Sequence, residues 1–142
     1  MRLWHIDLIP VLPREQLVAQ WRECSAIAGA ILKNGSPNHL LVNFILDYSF
    51  DEFISYSYYV RQEMTKRGYK TMEKVWEKIL SLKPDFCLIK KEDLFRCHMN
   101  GRYLTICYYN LGEKYLGGGI SNTDMKKIEQ LCIRFNDWSF IA

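Results

Sequence analysis

Arg22 and Glu23 stand side by side in a stretch that also places Glu15, Gln16, Ala19, Ala26, Gly29, Ala30 and Lys33 on one side of a helix, at about 100° of turn per residue. A solvated helix face normally carries long charged side chains. Alanines and a glycine around a glutamate instead leave room for a second backbone to lie close. The segment MRLWHIDLIPVLP, joined to this helix through a turn at Pro13, is the nearest one able to fill that space. It would bring the α-amine of Met1 to Arg22 and Glu23. An α-amino group has a pKa of about 8, so an appreciable fraction is neutral and nucleophilic near neutral pH, far more than for a lysine. Such an amine forms a Schiff base with a sugar aldehyde carbon, a carboxylate partly desolvated by apolar neighbours moves protons, and an arginine beside it holds phosphate. The same pattern also reads as two surface charges on a helix whose alanines serve only helix propensity.

Other chemistry-bearing residues point less clearly. His5, His39 and His98 lie far apart with no metal-binding spacing, and Cys24, Cys87, Cys97, Cys107 and Cys132 include no C-x-x-C pair, so structural roles and reduced thiols are expected. Cys24 adjoins Glu23 but falls on the opposite, apolar stripe. Gly117, Gly118 and Gly119 lack the lysine and hydroxyl residue of a phosphate loop and read as a helix stop. Tyr56 and Tyr59 share a helix face while Tyr58 points elsewhere, which leaves at least one ring exposed, for half-burial or base stacking. Lys66, Arg67, Lys70, Lys74 and Lys78 form a basic stretch that reads as a solvated surface or a DNA track.

The run through Trp21, Arg22 and Glu23 resembles the endonuclease V-like pyrimidine dimer DNA glycosylase family. Leu8, Leu12, Leu17, Ala19, Arg22, Glu23, Gly29, Ala30 and Lys33 recur there without a gap, KRGYK is similar to a family helix end, and Asn-Leu-Gly-Glu-Lys at 110–114 resembles a second family stretch. The resemblance implies an all-α, single-domain DNA repair enzyme that removes a damaged base and then cleaves the backbone by β-elimination, with no metal or organic cofactor. It implies the terminal amine as nucleophile, Glu23 as essential carboxylate, and Arg22 and Lys114 as phosphate or DNA contacts. The bulky Arg2 is expected to block removal of Met1, so Met1 takes the nucleophile's place and Arg2 falls on a family arginine. Arg2, Arg22, Lys33 and Lys114 then rank as the DNA-binding set, and a kinked duplex with an extruded nucleotide belongs to the same picture. Ala26 stands where the family carries arginine, Gln16 where it carries histidine, and NDWSFIA lacks an aromatic and basic tail. These departures bear on which lesion is recognised. The rival reading is a non-catalytic DNA-binding or protein-interaction domain that keeps the fold.

These residues need elements to position them. Pro10 and Pro13 make residues 3–12 an extended arm. Leu17, Trp21, Cys24, Ala28 and Ile31 then recur at helical spacing up to Asn34-Gly35. NHLLVNFILDY reads as a short buried helix, and Ser49 with Glu52 as a capping box opening a helix that stops at Gly68. Thr71 is expected to cap MEKVWEKILSL. RYLTICYYNLGEKYL reads as a helix, with a strand possible in its first half, and Asn122 or Thr123 caps DMKKIEQLCIRF. The expected fold is therefore an all-α domain over residues 1–142, with an extended N-terminal arm packed against the first long helix.

Composition sets the outer limits. The 142 residues are 49% hydrophobic and 25% charged, so one ordinary core fits without metals or disulfides. A net charge of +3 admits an anionic partner but is well short of a strongly basic nucleic-acid domain. His5, Asp7 and Pro10 break the first apolar run before it reaches the length of a secretion signal, and no stretch approaches a membrane span. The expectation is a cytoplasmic monomer acting on double-stranded damaged DNA.

Overall fold

The structure is a computed structural model and describes residues 1–133 and 139–141. Among these residues there are five α-helices and no strand: α1 (Arg14–Asn34), α2 (Phe50–Lys66), α3 (Glu73–Leu80), α4 (Gly101–Leu116) and α5 (Asn122–Cys132). Three 3₁₀ turns, Ile6–Val11, Asn43–Asp47 and Lys91–Asp93, connect them. The fold is all-α, as expected. The stripe Leu17, Trp21, Cys24, Ala28 and Ile31 is buried along α1, which packs on α2 and α3, while α4 and α5 pack on each other. Ile6–Val11 touches both α2 and α5 and so ties the two groups of helices together. Leu3, Trp4, Ile6, Leu8 and Ile9 are buried, and each such large apolar side chain removed from water contributes about 1.5–3 kcal/mol.

The arm is extended only at its start. Residues 6–11 form a 3₁₀ turn with Pro10 inside it, because the fixed φ of proline suits a 3₁₀ turn and the turn does not need its missing donor. The backbone amides of Leu8 and Leu12 donate to the carbonyls of His5 and Leu8, both at 2.9 Å. His5 caps the turn, its Nδ1 accepting from the amide of Asp7 at 3.1 Å, and burial lowers its pKa despite the opposing charge of Asp7. At the other end Arg67 donates to the carbonyls of Leu12 (2.7 Å) and Pro10 (3.1 Å) and is held by Glu63. Arg67 is therefore a structural clamp and no part of a DNA track. Lys78 of the same basic stretch also points inward, donating to Ser25 Oγ on α1 at 2.7 Å.

Four local expectations are corrected. Ser49 does cap α2, but through the amide of Asp51; Glu52 turns away to accept from the amide of Phe95 at 2.7 Å, so no capping box forms. The hydroxyl of Thr71 is occupied by Arg61 Nε at 2.9 Å, and α3 starts after Met72 with no side-chain cap. Ser121, not Asn122 or Thr123, caps α5, and the Asn122 carboxamide accepts from Tyr115 instead. NHLLVNFILDY makes only a short 3₁₀ turn in which Val42 and Ile45 are buried while Leu40, Leu41 and Leu46 are exposed. The whole of RYLTICYYNLGEKYL is helical, ending at Gly117 with Gly118 at φ 84°. Of NDWSFIA, residues 136–138 and 142 lie outside the described residues.

Candidate active site

Gln20 organises the start of the chain. It lies three residues before Glu23 on α1, so the two side chains share a face, and it is completely buried. Its Oε1 accepts from the backbone amide of Trp4 at 2.7 Å. Its Nε2 donates to the carbonyl of Arg2 at 3.0 Å and to Glu23 Oε2 at 3.1 Å. The Tyr56 hydroxyl lies 2.9 Å from Gln20 Oε1 and 2.6 Å from the Trp4 carbonyl, and its single proton serves one acceptor at a time. From α4, Tyr103 donates to the carbonyl of Leu3. The backbone of residues 2–4 is thus held by three side chains from three helices, in an environment where each unmet polar group would cost about 1–3 kcal/mol.

Glu23 sits where this clamp meets solvent. Loss of hydration raises its carboxyl pKa above the ordinary value. The charge of the N-terminal amine opposes that shift most strongly, followed by a hydrogen bond from the Arg2 backbone and the charges of His39 and Lys114. Beside the carboxylate opens a cleft of about 560 Å³, lined among others by Trp4, Arg14, Gln16, Ala19, Arg22, Glu23 and Lys114. The Arg2 guanidinium lies over the Trp4 ring, 5.8 Å from its centre. The site therefore combines a poorly hydrated carboxylate, a nearby primary amine and several cations. That set can move a proton, attack an electrophilic carbon and hold an anion.

Of the residues singled out in the sequence, Arg22, Glu23 and Lys114 line one cleft, and Met1 is exposed at the same end. Lys33 is separate. It is exposed in the last turn of α1, ten residues and so ~15 Å along the helix from Glu23. The small-residue face of α1 is also divided, since the arm lies along its first half while Gly29 faces Lys78 of α3. Cys24 is fully buried with its thiol pushed up to about 12 by desolvation, which removes it from nucleophilic chemistry. None of the five cysteines is joined in a disulfide. Tyr56 is buried, and Tyr58 and Tyr59 are both partly buried, which fits the half-buried reading over that of a fully exposed stacking ring; the Tyr59 hydroxyl donates to the Ile89 carbonyl at 2.6 Å. No group of three or more histidine, cysteine or acidic side chains gathers as a metal site among the described residues.

Sequence reasoning missed Gln20, Tyr56, Tyr103 and His39. The first had a signal: Gln20 falls between Leu17 and Cys24 on the apolar stripe, and a polar side chain there must find buried partners. The tyrosines gave none, because their partners are backbone groups from a distant segment.

The family model for pyrimidine dimer DNA glycosylase matches residues 1–77. The chain belongs to that family. The matched span contains the arm, α1 and α2, hence Gln20, Glu23 and Tyr56, and stops within α3. A DNA glycosylase family implies an enzyme with DNA as its substrate, and the cations around Glu23 are consistent with a polyanion. Neither the curated proteins nor the solved structures contain a match to the chain. No helix among the described residues is long and apolar enough to cross a membrane.

Proposed function

We propose that this chain is a DNA glycosylase with abasic-site lyase activity on damaged duplex DNA, pyrimidine dimers among its substrates, and that residues 1–142 act as one monomeric domain. The α-amine of Met1 is the nucleophile. It attacks C1′ of the damaged nucleotide, the N–C1′ bond forming as the bond to the base breaks and the base departs with its electron pair and takes up a proton. Loss of a proton from the amine and opening of the C1′–O4′ bond give a Schiff base. Removal of a C2′ proton then expels the 3′ phosphate by β-elimination, and water hydrolyses the imine to free the enzyme. Glu23, poorly hydrated, carries the protons at O4′ and C2′.

Arg2, Arg22 and Lys114 hold the phosphates nearest the reacting sugar. Lys33, ~15 Å further along α1, reaches a phosphate about four nucleotide steps away. The observation that carries the reading is the Gln20 clamp, which fixes the backbone of the first residues against the same carboxylate through hydrogen bonds of 2.7, 3.0 and 3.1 Å. A free chain end needs no such clamp for stability alone.

Borohydride reduction on an abasic duplex tests it. A covalent adduct mapping to the peptide that starts at Met1 is expected, with intact mass showing that Met1 is retained. No adduct with either abasic or irradiated DNA would leave the non-catalytic binding domain as the better reading.

A further inference from the structure

Gln16 and Gln20 stand one turn apart on α1 and are used differently. Both polar atoms of Gln20 have partners within reach, the Trp4 amide and the Tyr56 hydroxyl at Oε1 and the Arg2 carbonyl and Glu23 at Nε2. Gln16 lines the cleft beside Glu23, and its Oε1, shut off from solvent, meets no hydrogen-bond donor among the described residues. Buried polar atoms are nearly always paired, so an orphan in a cleft wall points to a partner that arrives from outside. The helix itself has no use for the oxygen. A glutamine in the third helical position commonly accepts from the amide of the N-cap residue, and here that residue is Pro13, which has no amide hydrogen. The side chain is only partly buried and its terminal torsion has broad minima, so the carboxamide is free to turn its oxygen into the cleft.

The rest of the cleft shows which partner fits. Arg14, Arg22 and Lys114 offer only donors. They suit phosphate, which carries no N–H. The Gln16 carboxamide instead sets a donor beside an acceptor, the complement of the adjacent donor and acceptor on a nucleobase edge. Position agrees with chemistry. Gln16, Ala19 and Glu23 fall on one side of α1, and two turns, ~10 Å of rise, separate Gln16 from Glu23. That span suits a pyrimidine whose sugar lies at Glu23 and whose far edge meets Gln16, and the single methyl of Ala19, also in the cleft wall, leaves room for the ring between them.

On the reading that this chain releases a damaged base from duplex DNA, we infer that Gln16 is a specificity-determining residue that reads the base to be released, its Oε1 accepting an N–H from the base edge and its Nε2 donating to the neighbouring ring oxygen or nitrogen. The lesions it favours are pyrimidines altered at C5 and C6, as in a fused dimer, because that damage leaves N3–H and O4 of a thymine intact. An abasic site offers no edge and gains nothing from Gln16.

The test uses the full chain and Gln16→Leu on two duplexes of one sequence, one with a single thymine–thymine dimer and one with an abasic site. Gln16→Leu should release the dimer base about tenfold more slowly, the effect of one lost hydrogen bond, while borohydride trapping on the abasic duplex stays within about twofold of the original. Its melting temperature should be equal or higher, since the oxygen removed has no partner in the free protein. A dimer methylated at both N3 atoms should be released by the unaltered protein as slowly as the plain dimer is by Gln16→Leu. Equal slowing on both duplexes, or no slowing on the dimer, overturns the assignment. If the unaltered protein forms no adduct with abasic DNA, the Schiff-base chemistry fails, and Gln16 is judged on binding: its preference for the dimer duplex over the undamaged one should fall about tenfold in Gln16→Leu, and an unchanged preference overturns the assignment. An unaltered protein that traps abasic DNA but neither prefers nor cleaves the dimer overturns the role of Gln16 and leaves the lyase chemistry standing.

Discussion

Two carboxylates on neighbouring helices are treated in opposite ways. Asp51, in the first turn of α2, accepts from Lys83 Nζ at 2.6 Å, from the Ser49 hydroxyl at 2.7 Å and from the Cys87 amide at 2.8 Å. Those donors, Lys83 first, hold its carboxyl down at about 2. Glu23 lies midway along α1 next to an amine and several cations, yet desolvation outweighs them and its carboxyl is raised. Asp51 is spent on structure, tying the Lys83–Cys87 segment to α2. Glu23 keeps its proton affinity, which is what a proton-transfer group needs and a structural anchor does not.

The largest effect that separates them is on turnover. Glu23→Gln should slow base release and strand cleavage by about 10²–10⁴-fold, the usual contribution of a positioned acid–base group, while duplex binding by filter or anisotropy assay stays close to normal. Asp51→Asn, assayed below its melting temperature, should leave the rate unchanged. Equal losses in both variants would erase the distinction. Next comes Gln20→Leu, which keeps the bulk but removes the donor to Glu23 and frees the Trp4 amide and Arg2 carbonyl. We expect trapping to slow by about tenfold, since one lost hydrogen bond to a charged group costs about 1.5–3 kcal/mol. The acid limb of the rate profile should also move to higher pH, a shift that mere loosening of the fold does not produce.

Stability should divide the pair by sign. The Asp51 carboxyl lies below its ordinary value of 3.8 in the folded protein, so its contribution is full above about pH 4 and fades as pH falls through about 2. Asp51→Asn should therefore lower the urea midpoint at neutral pH, with the gap to the unaltered protein closing near pH 2. The folded pKa of Glu23 is raised, so its stabilising contribution is present at low pH and is lost as pH rises through that folded pKa. Glu23→Gln should accordingly leave the midpoint at neutral pH equal to or above the original. The smallest expected change is Lys33→Ala, which removes one peripheral phosphate contact and should reduce the salt dependence of duplex binding by about one unit of slope.

Helix content and the buried stripe of α1 were legible because periodic apolar residues and glycine stops are local signals. Glu23, Arg22 and Lys114 were legible through resemblance, and the structure brings all three to one cleft. Ser49 was legible as the cap of α2, but the capping roles of Glu52, Thr71 and Asn122 were misread because each has a partner outside the cap. The 3₁₀ turn at Ile6–Val11 was hidden by proline, which argues against an α-helix more strongly than against this tighter turn. Tyr56 and Tyr103 were invisible for a different reason: their acceptors lie 52 and 100 residues away, and nothing in one sequence pairs a hydroxyl with a particular distant carbonyl.

Those long separations have a consequence for how the molecule comes into being. The seat of Leu3 depends on Tyr103, and Ile6–Val11 packs against α5, so the first residues made are among the last to find their place. Contacts that span most of a chain form late, because closing long loops costs entropy before it returns any contact energy. A nascent chain that has completed α1 already holds Gln20 and Glu23 but cannot yet seat the arm from both sides. On the proposed reading, the chemistry of a seated terminus is in this way withheld until α5, the last helix among the described residues, has been made.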